Sequence, residues 1–116
     1  MSAISIILTT YNAETWLEKV LWGYTVQSFK DFELIIADDG STNETKNLIE
    51  KFQAEFKNPI IHVWQKDEGF QKTKILNKAI IKASCDYILF SDGDCIPRND
   101  FVATHVKYQK KGNFLS

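Results

Sequence analysis

Leu34-Ile35-Ile36-Ala37 runs without a break into Asp38-Asp39-Gly40-Ser41. An uninterrupted apolar run of this length reads as a strand buried on both faces, the habit of interior parallel strands. The acids, glycine and serine end the strand, and Ser41 with Glu44 has the spacing of a capping box. Leu48, Ile49, Phe52 and Phe56 then recur as the buried stripe of a helix. Together they make one βα unit.

The same grammar extends in both directions. Upstream, Ile4-Ser5-Ile6-Ile7-Leu8-Thr9 is short, β-branched and nearly all apolar, and Asn12 is placed to cap a helix with Leu17, Val20, Leu21 and Tyr24 on one face. Downstream, the Asn58-Pro59 breaker precedes a strand at Ile60-Ile61-His62-Val63-Trp64. Ile75, Leu76, Ala79, Ile80 and Ala83 supply a third helical stripe. A fourth strand, Tyr87-Ile88-Leu89-Phe90, leads to Asp92-Gly93-Asp94-Cys95. Phe101, Val102, His105 and Val106 indicate a fourth helix, and Phe114-Leu115 the start of a fifth strand. Four successive βα units predict an α/β fold: a Rossmann-like, mostly parallel sheet with helices on both faces.

Such sheets bind ligands at the carboxyl ends of their strands. Here those ends read Thr9-Thr10-Tyr11-Asn12, Asp38-Asp39-Gly40-Ser41, Gln65-Lys66-Asp67-Glu68-Gly69 and Asp92-Gly93-Asp94. They are polar, acid-rich and punctuated by glycine. In an extended segment residues i and i+2 project to one side, so Asp92 and Asp94 can face a common point. Two carboxylates with phosphate oxygens and water suit Mg²⁺ or Mn²⁺. One carboxylate of the Asp38-Asp39 pair can accept the ring N–H of a base, such as uracil N3–H. The chain has no G-x-G-x-x-G after its first strand and no G-x-x-x-x-G-K-[ST], which argues against a NAD-type dinucleotide fold and a P-loop NTPase.

Composition sets the outer bounds. The 116 residues hold 44% hydrophobic and 25% charged side chains at a net charge of −1, the mix of one soluble globular domain. That balance, with Arg98 as the single arginine, excludes a dedicated nucleic-acid binder. No apolar run reaches the ~18 residues of a membrane span. Cys85 and Cys95 are too few for a disulfide framework, and a reduced, cytoplasmic setting is the simplest reading.

Four stretches in order carry a family resemblance: Ser5 to Asn12, Gln27 to Ser41, Gly69-Phe70-Gln71-Lys72-Thr73-Lys74-Ile75-Leu76-Asn77-Lys78-Ala79-Ile80, and Tyr87 to Asp94. The chain resembles the nucleotide-binding N-terminal half of a family 2 glycosyltransferase of GT-A fold, of the bacterial capsule, lipopolysaccharide and chondroitin-polymerase type. The resemblance implies that Thr9 and Tyr11 cradle the nucleoside, that Asp39 recognises uracil, and that Asp92 lies near the ribose. Asp92 and Asp94 together form the DXD metal motif, with Mn²⁺ or Mg²⁺ as cofactor, and Lys74 is a basic neighbour of the nucleotide. The implied reaction is inverting sugar transfer from a nucleotide-sugar, a UDP-sugar, to a glycan or lipid-linked acceptor in polysaccharide biosynthesis. For the whole protein it also implies peripheral association with the inner face of the membrane.

An inverting enzyme needs a general base, which in this family lies in the acceptor-binding half. Only 22 residues follow Asp94, and Asp100 is explained by capping the fourth helix. Residues 1–116 are therefore expected to be a truncated GT-A fold, inactive alone, with the base beyond Ser116. Two alternatives stand beside this: a nucleotidyltransferase-like sugar-phosphate enzyme, which would want a glycine- and basic-rich loop where Thr9-Thr10-Tyr11-Asn12-Ala13 has neither, and a non-catalytic nucleotide-binding or interaction domain. His62 and His105 are read as structural, Cys95 as a small packed residue, and Trp16, Trp22 and Trp64 as core or interface.

Overall fold

The computed structural model describes residues 4–11, 14–28, 30–38, 40–66, 72–85, 87–92 and 96–110. Strands β1 (Ile4–Thr10), β2 (Phe32–Asp38), β3 (Ile60–Trp64) and β4 (Ile88–Asp92) alternate with helices α1 (Glu14–Thr25), α2 (Asn43–Glu55), α3 (Lys72–Lys82) and α4 (Phe101–Lys110). All pairings are parallel, in the order β3-β2-β1-β4. The fold class expected from the repeated βα pattern is the one observed. The expected fifth strand at Phe114-Leu115 and the capping residue Asn12 lie outside the described residues.

The two central strands explain the uninterrupted apolar run Leu34-Ile35-Ile36-Ala37. Every residue of β2 is buried, because β1 and β3 flank it and helices cover both of its faces. On one face, Ile4, Ile6, Leu8, Leu34, Ile36 and Leu89 pack with Leu17, Val20, Leu21 and Tyr24 of α1, Ile49 and Phe52 of α2, and Val102 and Val106 of α4. On the other, Ile7, Ile35 and Ala37 pack with Ile75 and Ala79 of α3. The change of face follows from the topology. The chain steps outward from β1 to β3, then returns across the sheet to β4, and crossovers of one hand must then place the returning helix on the opposite side.

Several side chains depart from the helical and strand patterns. Ile80, expected in the α3 stripe, is exposed, as is its neighbour Ile81. The narrow contact of α3 is satisfied by Ile75 and Ala79, with Leu76 and Ala83 at its margin. Phe90 is also exposed, because β4 is an edge strand among the described residues. Trp16, Trp22 and Trp64 are each about half exposed, at 50, 50 and 51%, so none is a core residue. Trp22 meets Phe52 edge to face at 5.1 Å, and Lys19 lies over the Trp16 ring. The expected capping box does not form. α2 starts one residue later than the Ser41–Glu44 spacing implies, with Thr42 as N-cap and no side-chain cap bond.

The amino edge of the sheet is tied by a buried acid. Glu33 interrupts an otherwise apolar strand, yet is only 4% exposed. Its carboxylate accepts from Ser5 Oγ at 2.5 Å, from the Ser84 amide at 2.8 Å and from Ser84 Oγ at 2.9 Å, while Ser5 Oγ also accepts from the Cys85 amide. β1, β2 and the α3–β4 connection thus meet at one group. Burial alone would push the Glu33 carboxyl up, but the hydrogen bonds from Ser5 and Ser84 outweigh it and hold the group below its ordinary value of 4.5. A folded-state value below the unfolded one means that the unfolded chain takes up protons first as the solution is acidified. The stabilisation is complete above the ordinary value and is lost as pH falls through the lowered one. Glu33→Gln is expected to cost about 2 kcal/mol at neutral pH. The gap from the unsubstituted chain should close below about pH 4.5 in denaturation curves, and a gap independent of pH would refute the assignment.

Candidate functional site

The strand order places a topological switch point between β1 and β4, where parallel sheets open a crevice at their carboxyl ends. Register fixes what meets there. Thr9 pairs with Asp92 on one side and Ala37 on the other, while Thr10 pairs with Asp38, which pairs with Trp64. Thr9 and Asp92, read from motifs more than eighty positions apart in sequence, are therefore neighbours across one ladder. Thr9 is half-buried, and Tyr11, just past the end of β1, is 50% exposed. Lys74 is an exposed residue in the first turn of α3, the helix that follows β3. Asp39, Gly93, Asp94 and Cys95 lie outside the described residues, and for Asp92 and His105 only the backbone is described.

The turn after β2 separates two acids that the sequence leaves equivalent. Asp38 is fully buried. Its Oδ1 accepts the Ser41 amide at 2.9 Å, and its Oδ2 lies 2.8 Å from His62 Nε2. Gly40 has φ of 94°, a left-handed conformation that lets the chain turn back so that the Ser41 N–H meets this carboxylate. Ser41 is thus engaged through its amide in an Asx-type turn rather than as a helix cap. Its carbonyl accepts Trp64 Nε1–H at 3.0 Å, and the Gln65 amide donates to the Asp38 carbonyl at 3.2 Å. Asp38 is a structural acid that joins the ends of β2 and β3. The structural reading of His62 holds.

Among the described residues, no group of three or more His, Cys, Asp or Glu side chains could hold a metal. The donors expected for Mn²⁺ or Mg²⁺ are Asp92 and Asp94. Their chemistry fits: two carboxylates two residues apart in sequence offer hard oxygen donors and leave coordination for phosphate and water. A groove of about 420 Å³ lined by Trp22, Phe52, Phe56, Asn58 and their neighbours holds none of the candidate residues.

One polar residue received no role from its sequence context. Gln27 is fully buried between α1 and β2. Its Nε2 donates to the Gly23 carbonyl at 3.1 Å and to the Arg98 carbonyl at 2.6 Å, and its Oε1 accepts the Val102 amide at 3.0 Å. The first turn of α4 is therefore satisfied partly by a side chain just beyond the end of α1. The Asp100 carboxylate lies 3.5 Å from Arg98 Nε in an exposed pair. Two of its three partners lie more than seventy residues away, so neighbouring positions do not reveal its role.

Open parallel α/β sheets of this kind bind ligands at the carboxyl ends of their strands, where the strand order reverses. The comparisons narrow this. The Glycosyl transferase family 2 model matches residues 5–115, and the chain belongs to that family. An uncharacterized glycosyltransferase of Haemophilus influenzae is 34% identical over 115 residues, covering 99% of this chain and 43% of that protein. The S. aureus TarS 1–349 structure in complex with UDP-GlcNAc superposes with a TM-score of 0.77 at 24% identity, over 94% of this chain and 31% of that one. The mannosyltransferase PcManGT of Pyrobaculum calidifontis, in complex with GDP-Man and Mn²⁺, gives 0.80 at 24% identity over 90% and 31%. These likenesses establish the GT-A fold. The chain spans less than half the length of the curated relatives it matches. The nucleotidyltransferase alternative gives way to the family assignment. No helix among the described residues is long and apolar enough to cross a membrane.

The structural role of Asp38 is directly testable. Asp38→Ala strands a buried amide and a histidine, and should lower the unfolding free energy by about 3 kcal/mol. Asp38→Asn, which keeps an acceptor for the Ser41 N–H, should cost clearly less. Equal losses for both variants in urea denaturation would show that the turn does not depend on that acceptor.

Proposed function

We propose that this chain is the donor-binding part of an inverting glycosyltransferase that uses a nucleotide-sugar, with UDP as the nucleotide. The observation that carries the reading is the register at the switch point of a family 2 chain, where Thr9 and Asp92 are paired. Thr9 and Tyr11 hold the nucleoside, with the half-exposed Tyr11 ring near the base. Asp39 accepts the uracil N3–H. Its neighbour Asp38 is spent on Ser41 and His62, which supports giving this role to Asp39. Asp92 lies toward the ribose, and Lys74 contributes positive charge near the phosphates. A divalent cation bound by Asp92 and Asp94 supplies charge stabilisation for the departing diphosphate. That one solved neighbour holds UDP-GlcNAc and another GDP-Man with Mn²⁺ supports a nucleotide-sugar, and leaves the base to be decided by the residue at the Asp39 position.

The sugar acceptor, a glycan or lipid-linked saccharide, belongs to the rest of the protein, together with the general base. The relatives are more than twice as long as the matched segment, in line with a separate acceptor-binding part. On this reading the whole enzyme works in polysaccharide biosynthesis in the cytoplasm, at the inner face of the membrane.

Calorimetric titration tests the donor site. UDP should bind in the presence of Mn²⁺, and at least about tenfold more weakly with a chelator or in Asp94→Ala, the loss expected when one charged ligand of a bridged diphosphate is removed. GDP should bind more weakly than UDP. Equal affinity in all conditions would exclude a metal-bridged site. The chain alone should transfer no sugar from a UDP-sugar to added saccharide acceptors. Turnover would place the base within residues 1–116.

A further inference from the structure

Helix α3 carries an unbalanced surface. Its 11 residues include four lysines and no acid, in a chain whose 14 basic and 15 acidic residues nearly cancel. Lys74, Lys78 and Lys82 are exposed and recur every fourth position, so they line one side of the helix. Two successive like-charge pairs at this spacing cost helix stability, and no carboxylate among the described residues pairs with any of the three. The helix dipole accounts for Lys82, in the last turn, but opposes Lys74, in the first. Ile81 stands on the same side, three residues after Lys78, and is 81% exposed. The inner side of α3 is spent on the sheet, where Ile75 and Ala79 pack against Ile7, Ile35 and Ala37. The fold makes no use of the outer side.

Resting on the membrane location in the reading above, we propose that the outer side of α3 docks on a bilayer surface rich in anionic lipid. Such a surface attracts each lysine ammonium group and relieves the repulsion between them. The stems of Lys78 and Lys82 run along the boundary between headgroups and acyl chains, with their charges toward the phosphates, and Ile81 enters that boundary. This apolar component separates a bilayer from a soluble polyanion, which offers an isoleucine nothing. The single arginine, Arg98, lies outside α3, so bidentate grip on individual phosphates is no part of the surface.

Vesicle sedimentation tests this surface directly. The chain should pellet with phosphatidylcholine vesicles containing about a third phosphatidylglycerol, not with phosphatidylcholine alone, and about 0.5 M salt should weaken the binding. Lys78→Gln combined with Lys82→Gln should lower partitioning about twentyfold, the product of the loss expected for each lysine. Ile81→Ser should lower it at least about threefold. Lys46→Gln combined with Lys51→Gln removes the same charge from α2, on the other face of the sheet, and should change partitioning little. Every substituted position is exposed, so circular dichroism should show unchanged folding. Lys74 is kept, because it is assigned to the nucleotide. No binding to anionic vesicles, equal binding to neutral ones, or equal losses in the α2 and α3 lysine pairs would overturn the proposal. Unchanged vesicle binding by Ile81→Ser would also overturn it, since any polyanion could make the contact that remains. So would a dimer in sedimentation equilibrium that Ile81→Ser abolishes, which would give this side to a second copy. Titration with UDP and Mn²⁺ keeps the two readings apart. Absent vesicle binding by a chain that binds UDP sinks the docking surface alone, whereas absent UDP binding by a chain that pellets with anionic vesicles sinks the donor site alone.

Discussion

Strand β1 carries hydrogen-bond ladders on both sides, to β2 and to β4, and the rest of the domain depends on that double pairing. Because both partners are parallel, all their carboxyl ends fall on one edge. Because β4 joins β1 from the side opposite β2, the strand order reverses at that edge, the place where open parallel sheets bind ligands. Because the register sets Thr9 against Asp92, the motif that ends β1 and the motif that ends β4 open onto the same place. A slip of one residue in either ladder would turn the apolar residues of β1 away from their helices, so the core that stabilises the fold also fixes the site.

Buried acids divide their work between the two edges. Glu33 gathers β1, β2 and the α3–β4 connection at the amino edge, and Asp38 gathers β2, β3 and the turn into α2 at the carboxyl edge. Each is matched by donors, the condition under which a buried carboxylate is tolerated. The functional assignment therefore rests on acids other than these two. Gln27 does comparable work with a neutral group, tying α1 to the chain beyond β4 through a junction that local sequence does not announce.

Much of the fold was legible because each element carries its own periodicity. The all-apolar runs of β1 and β2 require burial on both faces, and Leu17, Val20, Leu21 and Tyr24 can share a core only on a helix. The unread part depends on what lies across space. Ile80 and Phe90 have the right chemistry for a core but sit at the margins of α3 and β4. Ser41 and Glu44 have cap spacing, yet the Asp38 carboxylate takes the Ser41 amide and the helix starts beyond it. Asp38 and Asp39 cannot be told apart by composition. Only the fold shows that Asp38 is consumed within the protein. Thr9 and Asp92 were legible as separate motifs, and their pairing needed the strand order.

On the proposed reading, the edge at the β1–β4 switch point is a metal-assisted nucleotide site. Mn²⁺ is paramagnetic, so its position can be read from the broadening of nearby amide signals in NMR spectra. With UDP and substoichiometric Mn²⁺, broadening should centre on Thr9, Thr10, Tyr11, Ser91 and Asp92, and spare Lys30, Ser84 and Cys85 at the opposite edge. Broadening centred at that opposite edge, or spread evenly over the surface, would contradict the account.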